Sequence, residues 1–220
     1  MFNYVYMKLL ESQPDRYDRG IKWLSLGQSE TVKRRIVAEY VIPGSRMLDI
    51  GCGTGTLAVL AAQKGAQVTA FDISPGMLAV ARRKVVAGGL AERIELHERG
   101  VAGMGTFPEA SFDLITATLV FSELSYDEQT YVLSQAYRIL TPAGRVVIAD
   151  EAKPESVCKR AFHAAVRVPL LLITFALTQT KTKAVVDLER LVSQAGFKIQ
   201  NAERSRLGSF LYLLAVKENA

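Results

Sequence analysis

Apolar and polar positions alternate along this chain in short blocks that predict strands and helices in turn. Residues 4–12 and 28–41 carry helical spacing on either side of a polar stretch, Pro14 to Asp18, before Pro43 and Gly44 break the chain. Met47 to Ile50 reads as a short buried strand. Thr56 to Lys64 reads as a helix of small apolar residues that Gly65 ends, and Gln67 to Phe71 as a second strand. Ser74 then serves as N-cap of a helix through about Val86, with Pro75 in its first turn. Further strands are expected at Arg93 to Glu98, Phe112 to Thr116 and Arg145 to Ala149. A helix near Asp127 to Leu140 and a turn at Pro142-Ala143-Gly144 precede the last of these. The end changes rhythm: a helix from Asp187 to Ala195 stops at Gly196, and strands at Phe197 to Glu203 and Ser209 to Val216 flank a short hairpin link. The expectation is an α/β fold: a doubly wound, mostly parallel seven-stranded sheet, covered on both faces, with an antiparallel last strand.

One segment fits no standard unit. Residues 152–183 hold an apolar run from Pro169 to Thr178 that extends back through Phe162, interrupted by Arg167 and His163. It is too short for a comfortable membrane span. Three readings stay open: a buried helix, a helical lid inserted after the fifth strand over a greasy substrate pocket, and a peripheral membrane contact.

Composition narrows the class. With 220 residues, 49% of them hydrophobic and 22% charged, the chain suits a single domain, 1–220, with a well-filled core. A net charge of +5 favours anionic partners without identifying one. Two cysteines far apart, Cys52 and Cys158, and two histidines, His97 and His163, imply neither a disulfide framework nor a metal site. The opening residues lack a basic leader followed by a sustained apolar stretch, so a cytoplasmic protein is expected.

The chemistry concentrates at residues 47–55, Met-Leu-Asp-Ile-Gly-Cys-Gly-Thr-Gly, and at Asp72, which closes the next strand. A strand, a glycine turn and a carboxylate at the following strand end are the parts of a nucleoside-binding crevice. Asp49 sharpens the reading. A carboxylate beside the turn would repel a pyrophosphate but suits a ligand with an amino group. A dinucleotide fingerprint would also need glycine at position 56, which is Thr56, so hydride transfer is a distant second.

On these residues the chain resembles the class I S-adenosylmethionine-dependent methyltransferases, whose first motif is close to Leu48 to Gly55. The resemblance implies a Rossmann-like fold with S-adenosyl-L-methionine as cofactor. Gly51, Gly53 and Gly55 would let the backbone approach the ligand, Asp49 would receive its ammonium, and Asp72 would hold both ribose hydroxyls. Ile73 and Met77 would pack on the adenine. Val101 stands where the family often carries an aspartate for the adenine amine, which leaves the main chain of Ala102, apolar contact or Glu98 to hold the ring. Backbone from Thr118 would approach the cofactor. The chain is most similar to small-molecule enzymes that include the quinone-biosynthesis C-methyltransferases. Tyr17 and Asp18 match the Tyr-Asp of their N-terminal segments, so residues 1–41 are expected to form a helical lid with Tyr17 on the cofactor. The stretch from Tyr4 to Lys8 through Gly20 is also similar to methyltransferases associated with corrinoid proteins, which makes a corrinoid protein a candidate partner.

The acceptor is then a small, partly apolar molecule, methylated by in-line displacement at an activated methyl group. If it arrives protonated, Glu123 and His163 are the candidate bases. A nucleic-acid or protein methyltransferase and a cofactor-binding protein without transfer activity remain as alternatives. Residues 117–124 lack the Asn-Pro-Pro-Tyr type of sequence, and Arg82 to Lys84 reads as a solvated helix face. The scattered basic residues at Lys33 to Arg35, Arg82 to Lys84 and Lys181 with Lys183 establish no contiguous basic track, so no nucleic-acid site is evident.

Overall fold

The computed structural model describes residues 17–18, 28–151, 187–204 and 210–218. Seven strands form one sheet: β1 (Arg46–Ile50), β2 (Gln67–Asp72), β3 (Ile94–Glu98), β4 (Phe112–Thr118), β5 (Leu140–Glu151), β6 (Phe197–Arg204) and β7 (Phe210–Lys217). The described α-helices are α1 (Gln28–Tyr40), α2 (Thr56–Gln63), α3 (Pro75–Ala87), α4 (Tyr126–Ile139) and α5 (Leu188–Gln194). The strand order is β3-β2-β1-β4-β5-β7-β6. Strands β1 to β5 pair in parallel, and β7 runs antiparallel to both β5 and β6, as the hairpin-like ending predicts. The order reverses between β1 and β4. At such a switch point the chain leaves toward opposite sides and opens a crevice at the carboxyl ends of the strands.

The pleat sorts the core into two layers. Leu48, Ile50, Ile115, Ala117, Val146 and Ile148 belong with α4 and α5 on one face, whereas Met47, Val68, Ala70, Leu114 and Val147 belong with α1, α2 and α3 on the other. Successive strand residues alternate faces, so Asp49 shares the α1–α3 side with Met47. A carboxylate is thereby carried into an apolar layer. Helix α1 is tied across this side by Arg35, which donates two hydrogen bonds to Glu203 of β6, at 2.6 and 2.8 Å, and lies 4.5 Å above the Tyr212 ring of β7. That fork holds the Glu203 carboxyl down at about 2. Lys64 closes the other end of α1 by donating to the carbonyls of Val37 and Ala38, both at 2.8 Å.

Two departures from the sequence reading have local causes. Strand β5 begins at Leu140 rather than Arg145, because Pro142 to Gly144 form an irregularity within the strand and not its boundary. Leu140 pairs with Phe112, Arg145 with Leu114, and Ala143 takes φ 60° between them. Strand β4 continues to Thr118, two residues past the expected end, and is followed by a 3-10 turn at Phe121–Glu123. A second such turn, Val101–Thr106, lies between β3 and β4. The expected helix at 4–12 and the segment 152–183 lie outside the described residues. Among the described residues no helix is long and apolar enough to cross a membrane, and no cluster of side chains could hold a metal ion.

Candidate cofactor site

The turn after β1 is built by its glycines. Gly51, Gly53 and Gly55 take φ of 61°, 53° and 72°, a region in which a side chain is strained. Two of them are also close-packed. A Cβ on Gly51 would meet Val120 at 2.5 Å, and one on Gly55 would meet Ala81 at 2.9 Å. Gly53 differs: nothing lies within 4 Å of its Cβ position, so its bare backbone faces open space. The turn is pinned to β2 by the Cys52 N–H on the Phe71 carbonyl at 2.9 Å. The Cys52 thiol is held protonated by burial and by the nearby Asp49 and Asp72, so it offers no thiolate.

Asp49 is 1% exposed. Its Oδ1 accepts from the Thr116 hydroxyl at 2.8 Å, while its Oδ2 has no hydrogen-bond partner. Burial drives its pKa up to about 6, the Thr116 hydrogen bond and the Lys33 charge opposing this. A buried, orphaned carboxylate oxygen beside an open glycine backbone fits an ammonium group. Asp72, at the end of β2, accepts the Gly53 N–H on Oδ2 at 2.7 Å and the Ser74 N–H on Oδ1 at 2.8 Å. Each oxygen keeps a further acceptor site, and the carboxylate borders a cavity, so it fits a pair of vicinal hydroxyls.

That cavity has a volume of about 210 Å³ and lies along the carboxyl ends of β1, β2 and β4. Of the residues picked from sequence, Tyr17, Gly51, Gly53, Asp72, Ile73, Met77, Val101, Thr118 and Glu123 border it. Ile73 is 77% exposed, an apolar flank that a flat ring would cover. Leu119, next to Thr118, takes φ 60° and carries the chain into the wall residue Val120. Strain of this kind concentrates at ligand sites. Asp49 lies behind the wall and Gly55 under α3, neither bordering the cavity. Ala102 is exposed outside it, with its carbonyl accepting from Tyr131 at 3.1 Å. His163 lies outside the described residues. The Asp72 carboxylate and the apolar surfaces of Ile73, Met77 and Val101 along this cavity suit a nucleoside, and the unpartnered oxygen of Asp49 lies two residues before the glycine turn.

Several neighbours escaped the sequence reading. Glu128 closes the capping box of α4 with Ser125, and both Glu128 and Arg99 border the cavity. The Ser-x-x-Glu spacing was the available signal. Lys84 does not belong to a solvated face. It is half-buried and pairs with Asp18, while Arg82 and Arg83 stay exposed. The run at Lys33 to Arg35 is divided too: Arg34 pairs with Glu30, Arg35 with Glu39 and Glu203, and burial presses the Lys33 ammonium below its ordinary value against the pull of Asp18 and Asp49.

The raised Asp49 pKa has a measurable consequence. Because the fold raises it, the folded apo protein binds more protons than the unfolded chain between the ordinary aspartate value of 3.8 and about 6, so this group's contribution to stability falls as pH rises through that window. A ligand ammonium needs the ionised form. Binding of the demethylated cofactor should therefore tighten about tenfold between about pH 5 and pH 7 and then level off. Titration calorimetry in buffers of different ionisation enthalpy should detect proton release near pH 6, and Asp49→Asn should remove it. A flat profile in the unaltered chain would contradict the ammonium contact.

Comparison with known proteins agrees with this geometry. A family model described as a methyltransferase domain matches residues 47–144, from β1 into β5. The demethylmenaquinone methyltransferase of Symbiobacterium thermophilum is 36% identical over 68% of this chain and 60% of its own length. That of Thermus thermophilus is 35% identical over 70% of this chain and 67% of its own length. The matched stretch thus spans about three fifths to two thirds of these relatives. Among solved structures, the magnesium protoporphyrin IX methyltransferase of Synechocystis with bound SAH shares the fold, with a TM-score of 0.65, 20% identity, and coverage of 87% of this chain and 82% of that one. Asp49, the glycine turn and Asp72 fall within the matched region, and the chain belongs to the class I S-adenosylmethionine-dependent methyltransferases, similar to the quinone-biosynthesis enzymes.

Proposed function

We propose that this chain transfers a methyl group from S-adenosylmethionine to a small, partly apolar acceptor of the quinol type. The observation that carries the reading is the two-sided wall of the cavity. Asp72, Ile73 and Met77 supply a nucleoside side, while Leu119, Val120 and Leu124 supply an apolar side at the carboxyl edge of β4. A mostly apolar wall with a few polar groups suits a small molecule. The named relatives favour a quinone-type acceptor, and they lend nothing to a corrinoid partner.

In this reading Asp49 holds the cofactor ammonium, Asp72 the ribose, and Ile73, Met77 and Val101 the adenine. The cofactor supplies a methyl group already activated on a sulfonium. The chain's own work is to align the acceptor with the S–CH3 bond and to exclude water. For carbon methylation the acceptor's ring carbon would take the methyl group in exchange for a proton, which the chain must receive. Glu123, which borders the cavity, is our candidate to take a proton from the acceptor, with His163 as the second candidate. The N-terminal segment around Tyr17 and residues 152–183 are proposed to cover the acceptor, the latter touching the membrane surface where a lipophilic quinol resides. The cover is not all of residues 1–41, because Gln28–Tyr40 is packed on the sheet. The reaction is placed in the cytoplasm.

The test is methyl transfer from labelled S-adenosylmethionine to a reduced demethylmenaquinone in detergent, with mass identification of the product. Label in a quinol carrying one added ring methyl is expected. Label transferred instead to RNA or protein, with none in the quinol, would overturn the acceptor class.

A further inference from the structure

The N-terminal residues Tyr17 and Asp18 form a helical turn that meets the glycine turn through a compact set of side chains. Asp18 Oδ1 accepts from the hydroxyls of Thr54, at 2.7 Å, and Thr56, at 3.2 Å. Its Oδ2 accepts from Lys84 Nζ, which also donates to Thr54 at 3.0 Å and Thr56 at 2.8 Å. Thr54 lies between Gly53 and Gly55 and is 2% exposed, and Thr56 is the first residue of α2. Lys84 comes from α3. Three separate elements converge on one carboxylate, and the residue beside that carboxylate, Tyr17, borders the cavity. Burial works against ionisation of Asp18, but the hydrogen bonds from Lys84 and Thr54 and the lysine charge outweigh it and hold the carboxyl below its ordinary range.

We propose that Lys84 is a positioning residue that acts through Asp18 to hold Tyr17 in the wall of the cofactor cavity, joining the N-terminal segment to the glycine turn. The inference rests on the cavity being the cofactor site. Thr54 and Thr56 make the connection specific. They bond both Asp18 and Lys84, so any shift of the glycine turn moves both partners of the ion pair. A surface ion pair of similar length would contribute little, being solvated and free to re-form elsewhere. This one is half-buried, with Lys84 and Asp18 side chains 29% and 40% exposed, and each charge meets two hydroxyls besides its partner. Linkage then requires reciprocity: a cofactor that steadies the glycine turn also steadies Tyr17, and Tyr17 held in place raises cofactor affinity.

The experiment is a double-mutant cycle read by calorimetric titration with S-adenosylhomocysteine, with thermal melts of each apo protein alongside. Lys84→Met and Tyr17→Ala should each weaken binding about tenfold, on the scale of one charge-assisted, part-exposed contact. The double variant should lose clearly less than the sum of the two single losses, since part of the Lys84 effect runs through Asp18 to Tyr17. Lys84→Arg should recover most of the affinity. Additive losses, or a Lys84→Met protein that melts normally and binds as tightly as the parent, would overturn the proposal. Where Lys84→Met does not fold, Asp18→Asn removes the same pair from the N-terminal side and is read in the same cycle. Failure of the unaltered chain to bind the ligand would instead overturn the cofactor reading, and this proposal with it.

Discussion

Gly51→Ala should unfold or severely weaken this protein, at a cost of about 2–5 kcal/mol from left-handed backbone strain together with overpacking. The backbone at Gly51 takes φ 61°, and the new Cβ would stand 2.5 Å from Val120 Cγ2 and 3.4 Å from Cγ1. Val120 can yield only toward the cavity that it borders. It is branched at Cβ and follows Leu119, whose own φ of 60° is already held by the Leu119 N–H on the Ala149 carbonyl at 2.8 Å. Denaturant unfolding measures the loss, and adding Val120→Ala should return the steric part of it but not the backbone part. Gly53→Val separates stability from binding. Nothing lies within 4 Å of its Cβ position, so the stability loss should come from left-handed backbone strain at φ 53° alone, while cofactor affinity should fall further because the side chain fills the ligand's space. A Gly51→Ala protein as stable as the parent would mean that the turn does not pack against Val120 in solution.

Asp72→Ala has the next largest expected effect. With Asp72 in the proposed role of acceptor for two ribose hydroxyls, its loss should weaken cofactor binding by about 1.5–3 kcal/mol, the range for hydrogen bonds to a charged group. The same substitution strips the acceptors from the Gly53 and Ser74 N–H groups, which at present lie 2.7 and 2.8 Å from the carboxylate. Stability should therefore fall as well, by about 1–3 kcal/mol if both amides are left unsatisfied. Paired titration and denaturation distinguish the two losses. Unchanged affinity in a folded variant would remove Asp72 from the site.

The sheet was legible because its strands are short apolar runs punctuated by glycine and proline, and that punctuation carries physical weight at Gly51 to Gly55 and at Ser74-Pro75. The β5 boundary was missed for the same reason. Pro142 to Gly144 has turn composition, but Leu140 upstream of it can still pair with Phe112 across an irregularity, and neighbouring strand pairing, invisible in the local sequence, decides the outcome. Lys84 was misread because it ends a run of three basic residues. Helical spacing placed it elsewhere: position 84 continues the inward stripe of Met77, Val80 and Ala81, all buried. Lys33 has the same relation to Ser29 and Ile36 on α1, both of which are buried. A long side chain on an inward stripe calls for a carboxylate, and Asp18 and Asp49 were the available ones. Its partners come from distant parts of the chain, so no local pattern could pair them. Arg99 reached the cavity wall without a signal of its own, through the end of β3 and the 3-10 turn that follows.

The central claim is that the orphaned Asp49 oxygen, the open Gly53 backbone and the Asp72 carboxylate make one site for S-adenosylmethionine. Calorimetric titration of the unaltered chain with S-adenosylmethionine, S-adenosylhomocysteine and NAD tests it most directly. One molecule of each of the first two should bind per chain, and NAD should give no saturable heat, because the Asp49 carboxylate so near the glycine turn disfavours a pyrophosphate there and position 56 is Thr rather than the third glycine. Saturable NAD binding with no response to either sulfur ligand would contradict the account.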